Sequence, residues 1–185
     1  MKKLFSKKVI SNTIFATAML LLLYPPTREW GMRQIAFAPS IKNIDTTQMI
    51  SSYHWELEGL NTENINFSEF KDKVIFVNFW ATWCPPCRAE LPMIQKLYNE
   101  YKEKVTFVFV TNENWNTVSA FFKENSYDLP VYNSLSTPPQ KFTETNSIPA
   151  SYLIDKNGAI LISKVGAADW NSKKVRDLLD ELIAK

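Results

Sequence analysis

The distribution of hydrophobic positions indicates a domain built on two buried strands with a helix between them. Residues 73–80, KVIFVNFW, form a near-continuous run of apolar residues, which is typical of a strand buried on both faces. A second run of this kind, VTFVFVT, occupies residues 105–111. Between them, apolar residues recur at helical spacing: Leu91, Ile94, Tyr98 and Tyr101. This order predicts a βαβ unit with parallel strands and a right-handed crossover.

The rest of the pattern predicts smaller elements around this unit. Two short strands are expected at 55–60 and 65–70, a helix at 116–125, a short strand at 129–132, and a helix at 137–145 capped by Thr137. The pair Asn157–Gly158 between two apolar runs predicts a β-hairpin, and an amphipathic helix closes the chain. Together these elements predict an α/β fold in which a mixed central sheet carries helices on both faces.

Residues 1–24 predict a membrane anchor or a signal sequence. Lysines within residues 2–8 precede residues 9–24, which carry no charge. This run is somewhat short of the ~30 Å hydrocarbon core, and Lys7 and Lys8 extend its reach by snorkelling. We expect a retained anchor, because the first A-x-A cleavage pattern after the run, at 36–38, lies well past its end. A cleaved, secreted form is the alternative.

The lysines also predict the topology and, with the prolines that follow, the domain organisation. Positive charge on the N-terminal side places the N-terminus in the cytoplasm and the body of the protein outside it. Residues 25–52 contain several prolines and no long apolar period, so we expect a linker. The folded domain is then predicted to span residues 53–185.

The charge distribution argues against nucleic acid as a partner. Four of the 21 basic residues lie in the first eight positions, which leaves 17 to balance 19 acidic residues. The body is therefore mildly acidic, and it contains no basic run.

The two cysteines, Cys84 and Cys87, are candidates for redox chemistry. They stand in the sequence WCPPC directly after the first buried strand. A disulfide across so short a loop adds little stability, so the thiols are predicted to react. A helix start at Cys84 stabilises its thiolate, and Cys87 lies within reach one turn later.

The residues around the cysteines fit this interpretation. Trp80 and Trp83 are predicted to form an apolar rim. Pro85 and Pro86 suit a helix start, where backbone N–H groups have no intrahelical partner.

The motif FWATWCPPC, a proline at position 92 and the later SIPAS at 147–151 together resemble the thioredoxin superfamily. More closely, they resemble its membrane-anchored, TlpA/ResA-like thiol-disulfide oxidoreductases of bacteria. The resemblance runs from Trp55 to the C-terminus and implies a thioredoxin fold with an added N-terminal β-hairpin. It implies that Cys84 attacks and Cys87 resolves, with a cis Ile148–Pro149 bond beside them. The substrate-binding residues it implies are Trp83, Pro85, Pro86, Ile148 and Pro149.

The resemblance also implies a cellular role. The protein would reduce disulfides of exported proteins, for example apocytochrome c cysteines in cytochrome c maturation. A membrane thiol carrier would supply electrons, and the Cys84–Cys87 disulfide would be the only redox group, with no other cofactor. The anchor would then lie in a bacterial inner membrane, with the catalytic domain in the periplasm.

Asn78 marks a departure from thioredoxin, which has a buried aspartate in the corresponding strand. An amide cannot accept the proton of Cys87, so water or another carboxylate must do so, and Glu90 is a candidate. The alternative function is a Cu(I) or haem-handling chaperone that uses the thiolates as ligands. Zinc would require four ligands, and His54 is the only histidine.

Overall fold

The computed structural model describes residues 7–24, 27, 31, 37–41 and 48–184. Within these residues we number four α-helices and eight strands in chain order. The helices are α1 (Lys7–Leu23), α2 (Pro85–Tyr101), α3 (Trp115–Asn125) and α4 (Lys173–Ala184). The strands are β1 (Gln48–Met49), β2 (Glu56–Gly59), β3 (Ile65–Asn66), β4 (Ile75–Phe79), β5 (Thr106–Val110), β6 (Val131–Ser134), β7 (Ala150–Ile154) and β8 (Ala159–Val165). The 3₁₀ helices are Phe67–Phe70 and Gln140–Thr143.

The N-terminal predictions fall partly outside the described residues. These include the first lysines, most of the expected linker and the start of the A-x-A pattern. Helix α1 has 17 residues, and no helix in the described part of the chain is both long and apolar enough to cross a membrane. Strand β1 lies within the range predicted to be linker, yet it pairs with β8 and so extends the sheet.

The strands form one mixed sheet in the order β1-β8-β7-β4-β5-β6-β2-β3. The predicted βαβ unit is confirmed: α2 joins β4 to β5, and these strands pair in parallel. The predicted hairpin of β7 and β8 is also confirmed, with Gly158 at φ +87° in its turn. Strand β7 runs antiparallel to β4, so its first residue, Ala150, pairs with Phe79 at the end of β4.

Helices α2, α3 and α4 share one face of the sheet. Their buried side chains belong to the same core cluster as Phe76, Phe109 and Leu153 of the strands. Strands β4, β5 and β6 are successive neighbours and parallel. Two right-handed crossovers that step in the same direction place both connecting helices on the same side, which explains the position of α2 and α3.

The opposite face is covered by aromatic side chains and by the two 3₁₀ helices. Phe67 and Phe142, one from each 3₁₀ helix, pack around the fully buried Trp55, with ring centroids 5.4 and 5.7 Å from it. Trp55 also donates a hydrogen bond from Nε1 to Ser134 Oγ, at 2.7 Å. The two helices on this second face are thus short 3₁₀ helices, and the aromatic side chains fill the space around them.

Two local predictions were wrong in their element type. The strand predicted at 65–70 ends after Asn66, because Asn66 and Glu69 form a capping box that starts the helix Phe67–Phe70. The helix predicted from Thr137 is reduced to Gln140–Thr143, where Pro139 occupies the N-cap position without a side-chain hydrogen bond. The two-residue strand β3 still pairs antiparallel with β2.

Candidate active site

The cysteines lie where strand β4 passes into helix α2. Cys84 is the N-cap of α2, in an extended conformation with φ −87° and ψ 108°, and the helix begins at Pro85. A disulfide joins Cys84 to Cys87, one turn into the helix. Both cysteines are buried in this oxidised form, at 2% and 0% exposure.

One backbone donor reaches the sulfur of Cys84. The Cys87 N–H donates to Cys84 Sγ at 3.3 Å, in the manner of an N-cap side chain. Pro85 and Pro86 have no N–H, so they contribute no donor between the cysteines. Among the described residues, the helix N-terminus and this N–H are thus the groups that favour a thiolate at Cys84 once the disulfide is reduced.

The loop before β7 lies against the disulfide. Because Phe79 pairs with Ala150, the segment that precedes β7 is held beside the loop that follows β4. The Ile148–Pro149 bond is cis, and the Ile148 carbonyl oxygen lies 3.8 Å from Cys84 Sγ. The sheet therefore brings Ile148 and Pro149 next to cysteines that precede them by about sixty residues in the chain.

The two tryptophans of the motif have different environments. Trp83 is 70% exposed and borders the disulfide, as expected for a residue of the apolar rim. Trp80 is buried and stacks on Phe122, with ring centroids 5.6 Å apart. The prediction that Trp80 forms part of the rim was wrong, since its side chain faces the core against helix α3.

A buried polar network surrounds Glu90, three residues after Cys87. Glu90 is only 2% exposed, and its Oε1 accepts a hydrogen bond from Asn78 Nδ2 at 2.9 Å. Oε2 accepts from the Ala168 backbone N–H at 3.2 Å and from Trp170 Nε1 at 3.0 Å. Burial raises the pKa of the Glu90 carboxyl from 4.5 to about 8, because lost hydration outweighs these hydrogen bonds.

Asn78 connects this network to the neighbouring strand. Its Nδ2 also donates to Ser151 Oγ, at 2.8 Å, while its Oδ1 is buried without a hydrogen-bond partner among the described residues. Asn78 and Glu90 are thus partners. Strand β4 has Asn78 in place of an acid, and the adjacent helix α2 supplies the carboxyl of Glu90.

Glu113 is a residue of the site that sequence reasoning missed. Its carboxylate accepts two hydrogen bonds from Thr82, one from the backbone N–H and one from Oγ1, each at 2.6 Å. Thr82 lies two residues before Cys84, so Glu113 fixes the loop that leads to the disulfide. No local pattern around Glu113 signals this contact, which spans 31 positions in the chain.

A groove of about 540 Å³ adjoins the disulfide. It passes between the loop that carries Trp83 and the segment from Pro138 to Ile148. Its lining includes the aromatic rings of Phe79 and Phe142. Trp83, the chain neighbour of Cys84, and Ile148, whose carbonyl oxygen contacts Cys84 Sγ, both line this groove.

Within the described residues, no group of three or more histidine, cysteine or acidic side chains is placed to hold a metal ion. His54 is exposed and precedes β2. The geometry brings the two cysteines together with an adjoining groove and a buried acid, an arrangement suited to thiol-disulfide exchange.

Comparison with known proteins agrees with this geometry. Residues 37–182 match the Redoxin family. The thiol-disulfide oxidoreductase ResA of Bacillus cereus is 34% identical over 113 residues, which cover 60% of this chain and 64% of that protein. The ResA of Bacillus thuringiensis subsp. konkukian is 32% identical over 132 residues, which cover 70% of this chain and 71% of that protein.

A solved structure is also similar. The crystal structure of StoA from Bacillus subtilis superposes with a TM-score of 0.53 at 25% identity, covering 70% of this chain and 95% of that one.

Proposed function

The chain belongs to the Redoxin family, as a ResA-like thiol-disulfide oxidoreductase with a thioredoxin fold, and from this premise we propose that it works as a dithiol reductant of exported proteins. The observation that carries the proposal is the Cys84–Cys87 pair at the start of α2, with the Cys87 N–H on Cys84 Sγ. This N-cap position is where a helix stabilises an attacking thiolate.

The reaction balances within the two cysteines and the substrate disulfide. The Cys84 thiolate attacks one substrate sulfur, the substrate S–S bond breaks, and the released substrate thiolate takes up a proton. The Cys87 thiolate then attacks Cys84 Sγ and releases the second substrate thiol. The substrate disulfide gains two electrons, and the protein is left with the Cys84–Cys87 disulfide, which a dithiol donor must reduce.

Glu90 is proposed to accept the proton of Cys87. It lies three residues after Cys87 on α2, and residues at this spacing share a helix face. A carboxyl with a pKa of about 8 is well matched to a thiol, whose ordinary value is about 8.5. Asn78 orients the carboxyl by its hydrogen bond to Oε1.

Substrate binding is assigned to the surface around Cys84. Trp83 presents an exposed ring, and Pro85 and Pro86 form the turn between the cysteines. Ile148 and Pro149 border the sulfur and offer backbone groups to an extended substrate.

The cellular part of the proposal places the domain outside the cytoplasmic membrane, where exported proteins acquire disulfides. Residues 1–24 hold the protein at the bacterial inner membrane, with the N-terminus in the cytoplasm. A membrane thiol carrier supplies electrons, and cysteines of apocytochrome c are candidate substrates. This part rests on the lysine-rich start and the uncharged run that follows it.

Reduction of insulin disulfides tests the proposal directly. The wild-type protein, recycled by dithiothreitol, should reduce insulin much faster than dithiothreitol alone, and Cys84→Ser should abolish the acceleration. The reduced wild-type protein should also reduce a protein disulfide faster than the oxidised wild-type protein introduces disulfides into a reduced protein. Equal activity of Cys84→Ser and wild type would overturn the assignment, and faster oxidation than reduction would overturn its direction.

A further inference from the structure

The groove beside the disulfide is neutral except at one position. Of the residues that line it, all of them described, Glu113 alone is charged. The remaining lining is aromatic, aliphatic, or polar without charge, as at Phe79, Phe142 and Thr145. A polypeptide lying in this groove therefore meets a single full charge.

No cation of the described residues forms an ion pair with Glu113. Its two oxygens accept hydrogen bonds from Thr82, which supplies neutral donors. Among the described residues, the ion pairs join other side chains, and the nearby Lys141 is paired with Glu144. A half-buried carboxylate with neutral donors alone gains from an added cation, because burial has removed part of its hydration.

A bound substrate can supply that cation. The attacked cysteine must bring its sulfur to Cys84 Sγ, so the flanking residues pass over the adjoining groove. Thr82, which holds the carboxylate, is two residues from Cys84 and therefore within about 7 Å of it along the chain. An extended substrate advances about 3.3 Å per residue, so a side chain one to three residues from the cysteine reaches Glu113.

We propose that Glu113 makes the enzyme prefer polypeptide disulfides in which a lysine or arginine lies within about three residues of the attacked cysteine. The preference deepens the proposed function and rests on it. Glu113 acts here as a specificity residue in the groove, in addition to fixing the loop through Thr82.

Homodimeric peptides provide the test, because attack on either sulfur of their single disulfide is equivalent. Three nine-residue peptides would carry lysine, glutamine or glutamate two residues from the cysteine. Their reduction would be followed with dithiothreitol as donor, and each rate would be divided by the uncatalysed rate to remove intrinsic reactivity. We expect the lysine peptide to be preferred over the glutamine peptide by on the order of two- to fivefold in kcat/KM.

The variants Glu113→Gln and Glu124→Gln separate the effect of this carboxylate from that of net charge. Glu124 is exposed on α3 and outside the groove, so its variant should keep the preference. Glu113→Gln should reduce the lysine-to-glutamine ratio to about one. If Glu113→Gln loosens the Thr82 loop, the reduction of all three peptides slows alike. The lysine-to-glutamine ratio therefore reports the effect of charge, and the absolute rate reports the positioning of the loop.

Measurements on the wild-type protein alone test the inference if Glu113→Gln does not fold. Its preference for the lysine peptide should weaken between low and high salt, since an ion pair at the surface is screened. Equal normalised rates for all three peptides, or a ratio unchanged in Glu113→Gln, would overturn the inference while leaving the oxidoreductase assignment intact. Failure to reduce any peptide would instead overturn the proposed function.

Discussion

Pro85 and Pro86 leave Cys87 as the only residue between Cys84 and the second helical turn that offers a backbone N–H to the sulfur. The potential of a thiol pair depends on how well the protein stabilises the thiolate relative to the disulfide. A loop that adds neither charge nor donor keeps the Cys84 thiolate poorly stabilised. The pair should therefore be reducing, with a potential below about −200 mV.

The substitution Pro85→His tests this role of the prolines. The imidazole adds positive charge next to the thiolate, so the potential should rise by on the order of 30 mV or more and the Cys84 pKa should fall. Redox titration against glutathione measures the first, and the pH dependence of alkylation measures the second. Pro85→Ala is the control that restores an N–H without charge and should shift the potential less. An unchanged potential in Pro85→His would show that the prolines act through packing.

Glu90 makes the stability of the oxidised protein depend on pH. Its pKa in the folded state, about 8, lies above the ordinary value of 4.5, so the folded protein holds a proton that the unfolded chain releases. The contribution of Glu90 to stability is therefore greatest below about pH 4.5, falls as pH rises, and levels off above about pH 8. Each unit of pKa difference corresponds to about 1.4 kcal/mol, so the total loss is several kcal/mol.

Urea unfolding of the oxidised protein across this range measures the effect, because the disulfide-bonded cysteines do not titrate. Glu90→Gln should remove most of the decline with pH, whereas Glu103→Gln, a change of the same kind at an exposed position between α2 and β5, should keep it. A decline of equal size in wild type and Glu90→Gln would contradict the raised pKa.

The reactive residues differ in how far they could be predicted. The cysteine pair and Ile148–Pro149 carry local signals, and the structure places them together. Glu90 was a candidate only because Asn78 stands where thioredoxin has a buried acid. The buried network of Glu90 depends on contacts with Ala168 and Trp170, which are distant in the sequence. Glu113 has no sequence signal at all.

At the scale of elements, long buried runs were predictable and short segments were not. Strands β4 and β5 have near-continuous apolar sequences rich in β-branched and aromatic residues, which favour a short buried strand over a helix. The segment 65–70 alternates like a strand, but its capping box competes locally and starts a 3₁₀ helix. Strand β1 has only two residues and owes its existence to pairing with β8.

The capping box at Asn66 gives a prediction for the helix Phe67–Phe70. Asn66 Oδ1 accepts from the Ser68 N–H, so Asn66→Ala should cost about 1 kcal/mol of unfolding free energy. Asn116→Ala is the control, since Asn116 is exposed within α3 and alanine favours helix. Denaturant unfolding at one pH compares them. A loss no larger than in Asn116→Ala would show that burial of Phe67, and not the cap, holds this helix.

For the whole molecule, the sequence predicted that both faces of the sheet are covered, but not which elements cover each face. The order β4, β5, β6 with right-handed crossovers places α2 and α3 on one side. This strand order depends on pairing between distant segments, which no periodicity reports. The second face is filled by aromatic rings around Trp55.

The N-terminal segment gives a prediction about the location of the full chain. If residues 1–24 are retained as an anchor, the protein should stay in the membrane fraction after a carbonate wash and keep its N-terminal lysines. N-terminal sequencing of that fraction is the measurement. Recovery of a soluble species that begins after residue 24 would instead indicate cleavage and a secreted enzyme.

The most direct test of the central claim is capture of the mixed disulfide by Cys87→Ser. Without the resolving thiol, the bond between Cys84 and a substrate cysteine should persist, and mass spectrometry should locate it at Cys84. Cys84→Ser, the matched control, should capture little or nothing. We expect a dithiothreitol-sensitive adduct at Cys84 in Cys87→Ser alone. Its absence, or equal adducts in both variants, would contradict thiolate attack by Cys84.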